Sequence, residues 1–189
     1  MIGRLRGVLV SSRESGIVID VAGVGYEVAM TTRDLVTLPG IGEEIVVHTH
    51  THVREDEISV YGFGSDPDRE LFRILLTASG VGPKVAMALL ASMTSDEIVR
   101  AITGEDPDAL TVAPGVGKRG AQKIVLELAP KLSGRESEVV GGHALGSVRQ
   151  ALEGLGYSTA EINAVVKDLD PDEPIQEQIK TALQRLAKG

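Results

Sequence analysis

Runs of β-branched and other apolar residues alternate with clusters of glycine, aspartate and serine through the first third of the chain. Runs of this kind predict short β-strands. The predicted strands span residues 2–10, 17–21, 26–30, 45–53 and 58–63. Because they follow one another within about sixty residues, they favour a small closed barrel of the OB type.

From Ser65 onward the apolar positions recur at helical spacing. Three helix starts carry an N-terminal signature, either a capping residue before a proline or a capping box. These are Asp66 with Pro67, Thr94 with Glu97, and Asp106 with Pro107. We therefore predict four to five short helices over residues 67–132.

The last part of the chain begins with a glycine-rich, polar stretch at residues 134–146, which predicts a flexible linker. Three short helices are predicted after it: one from Ser147 to Leu155, one opened by a capping box of Ser158 and Glu161, and one from Pro174 to near Leu186. Most of their apolar positions are expected to be core: Leu152, Leu155, Ile162, Val165 and Val166. A bundle of this size resembles ubiquitin-associated bundles and is typical of a docking module.

Together these patterns predict an α+β multidomain protein. Its parts are an OB-type β-barrel at residues 1–64, an all-α domain at 65–133, the linker at 134–146 and a three-helix bundle at 147–189.

The composition narrows the class of protein. Hydrophobic residues make up 42% of the chain, so a core can form. The absence of cysteine excludes disulfides and thiolate metal sites. The first residues lack the apolar run of a signal peptide, and no stretch reaches the ~20 apolar residues of a membrane-spanning helix. We expect a soluble, cytoplasmic protein.

The net charge of −8 argues against a DNA-binding protein that relies on one broad basic patch. The middle segment is the least acidic, because residues 65–133 hold 8 basic and 9 acidic residues. Any attraction to DNA must therefore be local and must arise within an otherwise acidic molecule.

Two copies of one motif lie in that segment, Gly80-Val81-Gly82 and Gly115-Val116-Gly117. Each copy lies between two apolar helical patterns, which predicts a helix-hairpin-helix. The glycines permit a tight turn and a close approach, and the amides that open the following helix can bind a phosphate oxygen. The valine is expected to pack into the helix pair. Cations follow the turns: Lys84, Lys118, Arg119 and Lys123.

Other interpretations of these glycines are weaker. A single copy could be an ordinary helix corner with glycine at its C-cap, but two copies with matched cations favour phosphate binding. A P-loop is excluded because Lys118 is followed by arginine, so no nucleotide hydrolysis is expected. Gly23-Val24-Gly25 follows a strand, but it lacks the third glycine and the helix of a dinucleotide site.

Several further stretches strengthen the interpretation: Met1-Ile2-Gly3-Arg4-Leu5-Arg6-Gly7, Gly23-Val24-Gly25-Tyr26-Glu27-Val28, Val53-Arg54-Glu55-Asp56 and Tyr61-Gly62-Phe63. With both hairpins they make the chain resemble, over its whole length, the RuvA family of Holliday-junction-binding subunits. The resemblance implies an OB barrel, tandem hairpins and a mobile three-helix domain.

The resemblance also implies function. In the family, four subunits surround a four-way junction, and an acidic pin matches Glu55 and Asp56. By periodicity alone this segment is a polar turn. The implied partners are four-way junction DNA, a RuvB-type hexameric ATPase docked by residues 147–189, and a RuvC-type junction resolvase as a further candidate. A homotetramer is implied, or an octamer on DNA, with no catalysis and no cofactor.

Two rival functions and one metal hypothesis remain open. A helix-hairpin-helix glycosylase would need a base pocket with stacking aromatics, and the chain has two Phe and no Trp. A general interaction adapter would act through residues 147–189 alone. Three alternating histidines could bind zinc, but an exposed or interface face is favoured and no metal is expected: His48, His50 and His52.

Overall fold

The computed structural model describes residues 1–133, 148, 151–152, 155, 157, 159–166, 169 and 175–186. The chain divides into two compact units, Met1–Gly134 and Arg135–Gly189. The predicted linker at 134–146 and the predicted helix starts at Ser147, Ser158 and Pro174 lie outside the described residues. Among the described helices, none combines the length and apolarity that crossing a membrane requires.

The five predicted strands form, and they close into a barrel. They are β1 (Arg4–Arg13), β2 (Gly16–Val21), β3 (Val24–Ala29), β4 (Glu44–Val53) and β5 (Ile58–Phe63). The order around the barrel is β1-β2-β3-β5-β4. All neighbours are antiparallel except β3 and β5, which pair in parallel at Ala29 and Tyr61.

The long first strand closes the barrel because it pairs with two others. Residues Arg4 to Val8 pair with β4, whereas Val8 to Arg13 pair with β2. The register between β1 and β2 shifts by one residue between Leu9 and Ser11, as at a β-bulge. Inward-facing side chains fill the interior: Leu5, Leu9, Ile17, Ile19, Val28, Met30, Ile45 and Val47.

A short helix that the sequence pattern did not predict, α1 (Thr32–Val36), lies between β3 and β4. Its N-terminus is capped by Thr31, whose hydroxyl accepts a hydrogen bond from the amide of Asp34 at 3.1 Å. One capped turn is too short to show helical periodicity.

Five further helices complete the first unit, as predicted. They are α2 (Asp66–Leu75), α3 (Pro83–Ser92), α4 (Ser95–Thr103), α5 (Pro107–Leu110) and α6 (Lys118–Leu132). The capping box of Thr94 with Glu97 and the cap at Asp106 are confirmed. The predicted cap at Asp66 is wrong: Ser65 is the N-cap, and its hydroxyl accepts from the amide of Asp68.

Helix α2 packs on the outer face of the barrel. The rings of Phe72 and Phe63 lie 4.9 Å apart, and both side chains are fully buried. Arg69 adds a polar contact by donating to the carbonyl oxygen of Gly3 at 2.8 Å. The barrel and the helices that carry the Gly-Val-Gly turns therefore belong to one compact unit.

The second unit contains α7 (Thr159–Val166) and α8 (Ile175–Leu186), and Val148, Ala151 and Leu152 are also helical. Its core is aliphatic: Val148, Leu152, Ile162, Val165, Val166, Leu169 and Ala182. Leu155 was expected in this core, but its side chain is 61% exposed.

Candidate nucleic-acid interface

The first turn connects α2 to α3. The amide of Ala78 donates to the carbonyl of Leu75, and the amide of Val81 donates to the carbonyl of Ala78, both at 3.1 Å. Gly80 has φ +85°, a left-handed conformation that favours glycine. Gly82 then takes an extended conformation, with φ −95° and ψ 177°, and becomes the N-cap of α3.

The second turn repeats this geometry. The amide of Ala113 donates to the carbonyl of Leu110 at 3.3 Å, and Val116 donates to Ala113 at 3.1 Å. Gly115 has φ +87°, and Gly117, with φ −87° and ψ 167°, is the N-cap of α6. The two turns are therefore the same structure built twice.

The central valines hold both turns against the protein. Val81 is 8% exposed and Val116 is 7% exposed, although each sits between two glycines on the surface. This burial agrees with the prediction that the valine packs into the helix pair. Gly80 and Gly115 beside these valines are exposed, so the backbone of each turn is open to solvent there.

Helices α3 and α6 begin without a capping side chain, because their N-caps are Gly82 and Gly117. The other four helices of residues 1–133 are capped by a hydroxyl or a carboxylate. The first amides of a helix have no partner within it and carry the positive end of its dipole. Both hairpins therefore present amides that no capping side chain occupies.

The predicted cations surround these helix starts and are all exposed: Lys84, Lys118, Arg119 and Lys123. Lys118 Nζ lies 3.9 Å from Asp108, and Lys123 Nζ lies 3.9 Å from Glu127. Pairs this long and exposed contribute little stability, so the charges can be redirected to a ligand. One cation follows the first turn and three follow the second.

Open space surrounds the glycines of both hairpins. A Cβ atom added at Gly80, Gly82, Gly115 or Gly117 would meet no other atom within 4 Å. The same holds at Gly120, where φ is not positive. Contacts inside the protein therefore do not account for the glycine at position 120. A Cβ atom at this position would not clash with any neighbouring side chain.

The acidic turn joins β4 to β5 and consists entirely of exposed residues. It is closed by a hydrogen bond of 2.8 Å from the amide of Arg54 to the carbonyl of Glu57. Glu57 also accepts from Ser59 at 2.7 Å. Among the described residues, neither Glu55 nor Asp56 has a side-chain hydrogen bond or an ion pair, so both carboxylates face solvent.

The three alternating histidines lie on the outer face of β4: His48, His50 and His52. The sequence showed no acidic neighbour for them, but α2 brings Asp66 to 3.2 Å from His48 Nδ1. The ring of His50 packs edge-on against Phe72 at 5.4 Å. Within the described residues, no group of three or more histidines or carboxylates is arranged to hold a metal ion.

Comparison with known proteins adds independent information. Residues 1–62 match the model of the RuvA N terminal domain, residues 72–130 that of the SAM-like helix-hairpin-helix tandem, and residues 143–187 that of the RuvA C-terminal domain. A protein of Methylibium petroleiphilum is 40% identical over 192 residues, covering 100% of both chains. The chain belongs to the RuvA family.

Other RuvA proteins show the same full-length similarity. A protein of Rubrobacter xylanophilus is 40% identical and covers 98% of both chains, and one of Laribacter hongkongensis is 40% identical and covers 100% of both. All three relatives are named Holliday junction branch migration complex subunit RuvA. The name describes one subunit of a complex that acts on four-way DNA junctions.

The structure of this RuvA-family chain also shows contacts that sequence reasoning missed. Glu127 on α6 accepts a hydrogen bond from the amide of Ser79, just before the first turn, at 2.7 Å. Lys131 donates to the hydroxyl of Thr77 at 2.8 Å. These partners lie about fifty residues apart in the sequence, so no local pattern could have indicated them.

Proposed function

We propose that this chain holds four-way DNA junctions open for branch migration. The observation that carries the proposal is the repeated turn, with two helix starts that lack a capping side chain in one compact unit. Amides and cations at a helix start bind phosphate oxygens, which carry no base information. The proposed DNA contacts are Gly80, Val81, Gly82, Lys84, Gly115, Val116, Gly117, Lys118, Arg119 and Lys123.

The acidic turn supplies selectivity in this proposal. Among the described residues, the carboxylates of Glu55 and Asp56 form no ion pair, and they repel phosphates that come close. A continuous duplex that crosses this turn is disfavoured, whereas a junction whose strands separate there is tolerated. The net charge of −8 acts in the same direction, since it weakens attraction away from the hairpins.

Membership of the family supports a proposal about assembly and partners. We infer a homotetramer around the junction, with four acidic turns near its centre, or two tetramers that enclose the DNA. Residues 147–189 bind a RuvB-type hexameric ATPase, which supplies the energy, while this chain performs no catalysis and needs no cofactor. A RuvC-type resolvase is a further candidate partner, and the complex acts in the cytoplasm.

The proposed division of labour assigns one role to each part of the chain. Residues 1–64 carry the acidic turn, residues 65–133 bind DNA, residues 134–146 act as a linker, and residues 147–189 contact the motor. The names of the full-length relatives support this arrangement, because they describe a subunit of a branch migration complex.

The test is a binding competition between a four-way junction and a linear duplex of the same sequence, at one fixed salt concentration. We expect the junction to compete at least tenfold better, and its affinity to be unchanged when the sequence is permuted. Equal affinity for the two DNAs, or dependence on sequence, would contradict the proposal. Mass measurement with and without junction DNA tests the tetramer.

A further inference from the structure

Two polar contacts join α6 to the segment that precedes the first turn. Glu127 Oε2 accepts from the amide of Ser79 at 2.7 Å, and Lys131 Nζ donates to Thr77 Oγ1 at 2.8 Å. Glu127 and Lys131 are four residues apart in one helix, so their side chains lie on the same face. One face of α6 therefore holds both ends of the segment 77–79.

Helix α6 also begins at the second turn, with Gly117 as its N-cap. Glu127 lies ten residues further on, which is about 15 Å along the helix axis. An α-helix is a rigid spacer over this length. The position of Ser79, and with it the first turn, is thus tied to the second turn through a single helix.

Apolar packing between helices connects the first turn to α6 only indirectly. Helix α6 packs chiefly against α4 and α5, and it makes few contacts with α2. The first turn lies between α2 and α3. The hydrogen bonds of Glu127 and Lys131 connect the segment just before this turn directly to α6.

The chemistry of Glu127 fits this role. Hydrogen bonds from the backbone and the side chain of Ser79 lower the pKa of Glu127, and nearby Lys123 and Lys131 contribute less. The carboxylate thus stays ionised near neutral pH. A hydrogen bond to an ionised acceptor is shorter and stronger than one between neutral groups. The hydrogen bond from Ser79 to Glu127 is therefore strong enough to help the first turn keep its geometry when DNA binds.

We infer that Glu127 is a positioning residue that fixes the spacing of the two turns, so that one DNA molecule meets both helix starts at once. The inference rests on the proposed function, because it requires both turns to bind phosphate. Two linked sites bind far more tightly than either alone when their spacing matches the ligand, and they lose this advantage when it does not.

The test compares Glu127→Ala with Glu127→Gln in the full-length chain, using a linear duplex as the probe. Both variants remove the same charge, but glutamine keeps an oxygen that can accept from Ser79. We expect the alanine variant to bind about tenfold more weakly than the glutamine variant. Its logarithmic salt dependence should also be less steep, since fewer phosphates are held at the same time. Equal affinities and equal slopes would overturn the inference.

Glu127 could instead only stabilise the fold. To separate this role from positioning, the thermal unfolding midpoint of each variant is measured, and DNA binding is then compared at a temperature well below the lowest midpoint. Under those conditions a loss of stability alone leaves the duplex affinity and its salt slope unchanged, and that result overturns the inference. Glu14→Ala and Glu14→Gln, which make the same two changes at an exposed position of the barrel, are the matched controls and should bind the duplex equally. If Glu127→Ala does not fold, Thr77→Val removes the neighbouring contact without changing charge. That variant should bind about threefold more weakly, and wild-type affinity would contradict the inference.

Measuring the wild-type affinity for a four-way junction beside that for the duplex distinguishes this inference from the proposed function. A wild-type chain that binds duplex but shows no preference for a junction contradicts the proposed function and leaves the role of Glu127 to be decided by its variants. A wild-type chain that binds neither DNA contradicts both.

Discussion

Phe63 at the end of β5 packs against Phe72 in α2, with ring centroids 4.9 Å apart and no exposure of either side chain. These are the only two phenylalanines in the sequence. Tyr61 and His50 extend the cluster, with rings 5.3 and 5.4 Å from Phe72. A small aromatic contact thus joins the barrel, which carries the acidic turn, to the helices that carry the hairpins.

His50 makes this contact sensitive to pH. Burial lowers the pKa of His50 below its usual 6.5, and its electrostatic interactions with Arg73, His52 and Arg69 lower it further, while Glu70 opposes them. The neutral form is thus favoured in the folded state. Stability from this group is present above pH 6.5 and is lost as the pH falls through the folded value.

We therefore expect wild-type unfolding temperatures to fall more between pH 7.5 and pH 5.5 than those of His50→Gln, which cannot become charged. Differential scanning calorimetry in buffers of equal ionic strength measures this difference. An equal fall in both proteins would show that His50 does not determine the pH dependence in this range.

The left-handed glycines predict a second result. Alanine at Gly80 or Gly115 keeps its surroundings free of clashes but must adopt φ near +85°, which costs about 1–2 kcal/mol. The free energy of unfolding should fall by that amount in urea titrations. Gly120→Ala is the contrasting variant, because its φ is not positive and its surroundings are also open. It should raise stability by up to ~1 kcal/mol, and a loss equal to that of Gly80→Ala would refute the explanation by backbone strain.

The acidic turn predicts a change in DNA preference. Glu55→Gln combined with Asp56→Asn removes two charges without changing shape, so repulsion of phosphate disappears. Duplex affinity should rise roughly fivefold, and the preference for the four-way junction over the duplex should fall. A gel-shift competition measures the ratio. The control, Glu14→Gln with Glu27→Gln, removes the same charge from exposed positions of the barrel outside this turn. If the control variant changes the ratio of junction to duplex affinity equally, the net charge and not the acidic turn explains the selectivity.

Leu155 predicts a result for the second unit. A large apolar side chain that is 61% exposed is a candidate contact for a protein partner. Leu155→Glu should leave junction affinity unchanged but reduce stimulation of a RuvB-type ATPase by about tenfold, consistent with the loss of a buried interface residue. Gln176→Glu adds the same charge at another exposed position of the unit and serves as the control. Full stimulation of the ATPase by Leu155→Glu would exclude this side chain from the interface.

Local chemistry explains most of what could be predicted. The strands follow from β-branched runs between turn residues. The capping box of Thr94 with Glu97 follows from the preference of helix starts for a threonine or serine at the N-cap and a glutamate three residues later. The two hairpins were visible because the same pattern recurs 35 residues apart, from Gly80 to Gly115. Each of these signals lies within a few neighbouring residues.

The features that the sequence pattern missed or predicted wrongly depend on backbone geometry and on packing between elements. Ser65 caps α2 in place of Asp66, since the competing residues differ by one position and only the backbone geometry decides between them. Leu155 matched a helical apolar pattern, yet it is exposed. The contact between His48 and Asp66 depends on how α2 docks on β4.

The sequence by itself determined the five strands of the barrel, the repeated glycine turns, the charged positions beside them and the acidic turn, because each depends on short-range backbone preferences and on spacing. Only the tertiary structure decided which groups meet across the chain: Phe63 with Phe72, and Glu127 with Ser79. Those contacts arise when separately formed elements pack together. Their partners are therefore chosen by the three-dimensional fit of whole helices and strands, which no local pattern records.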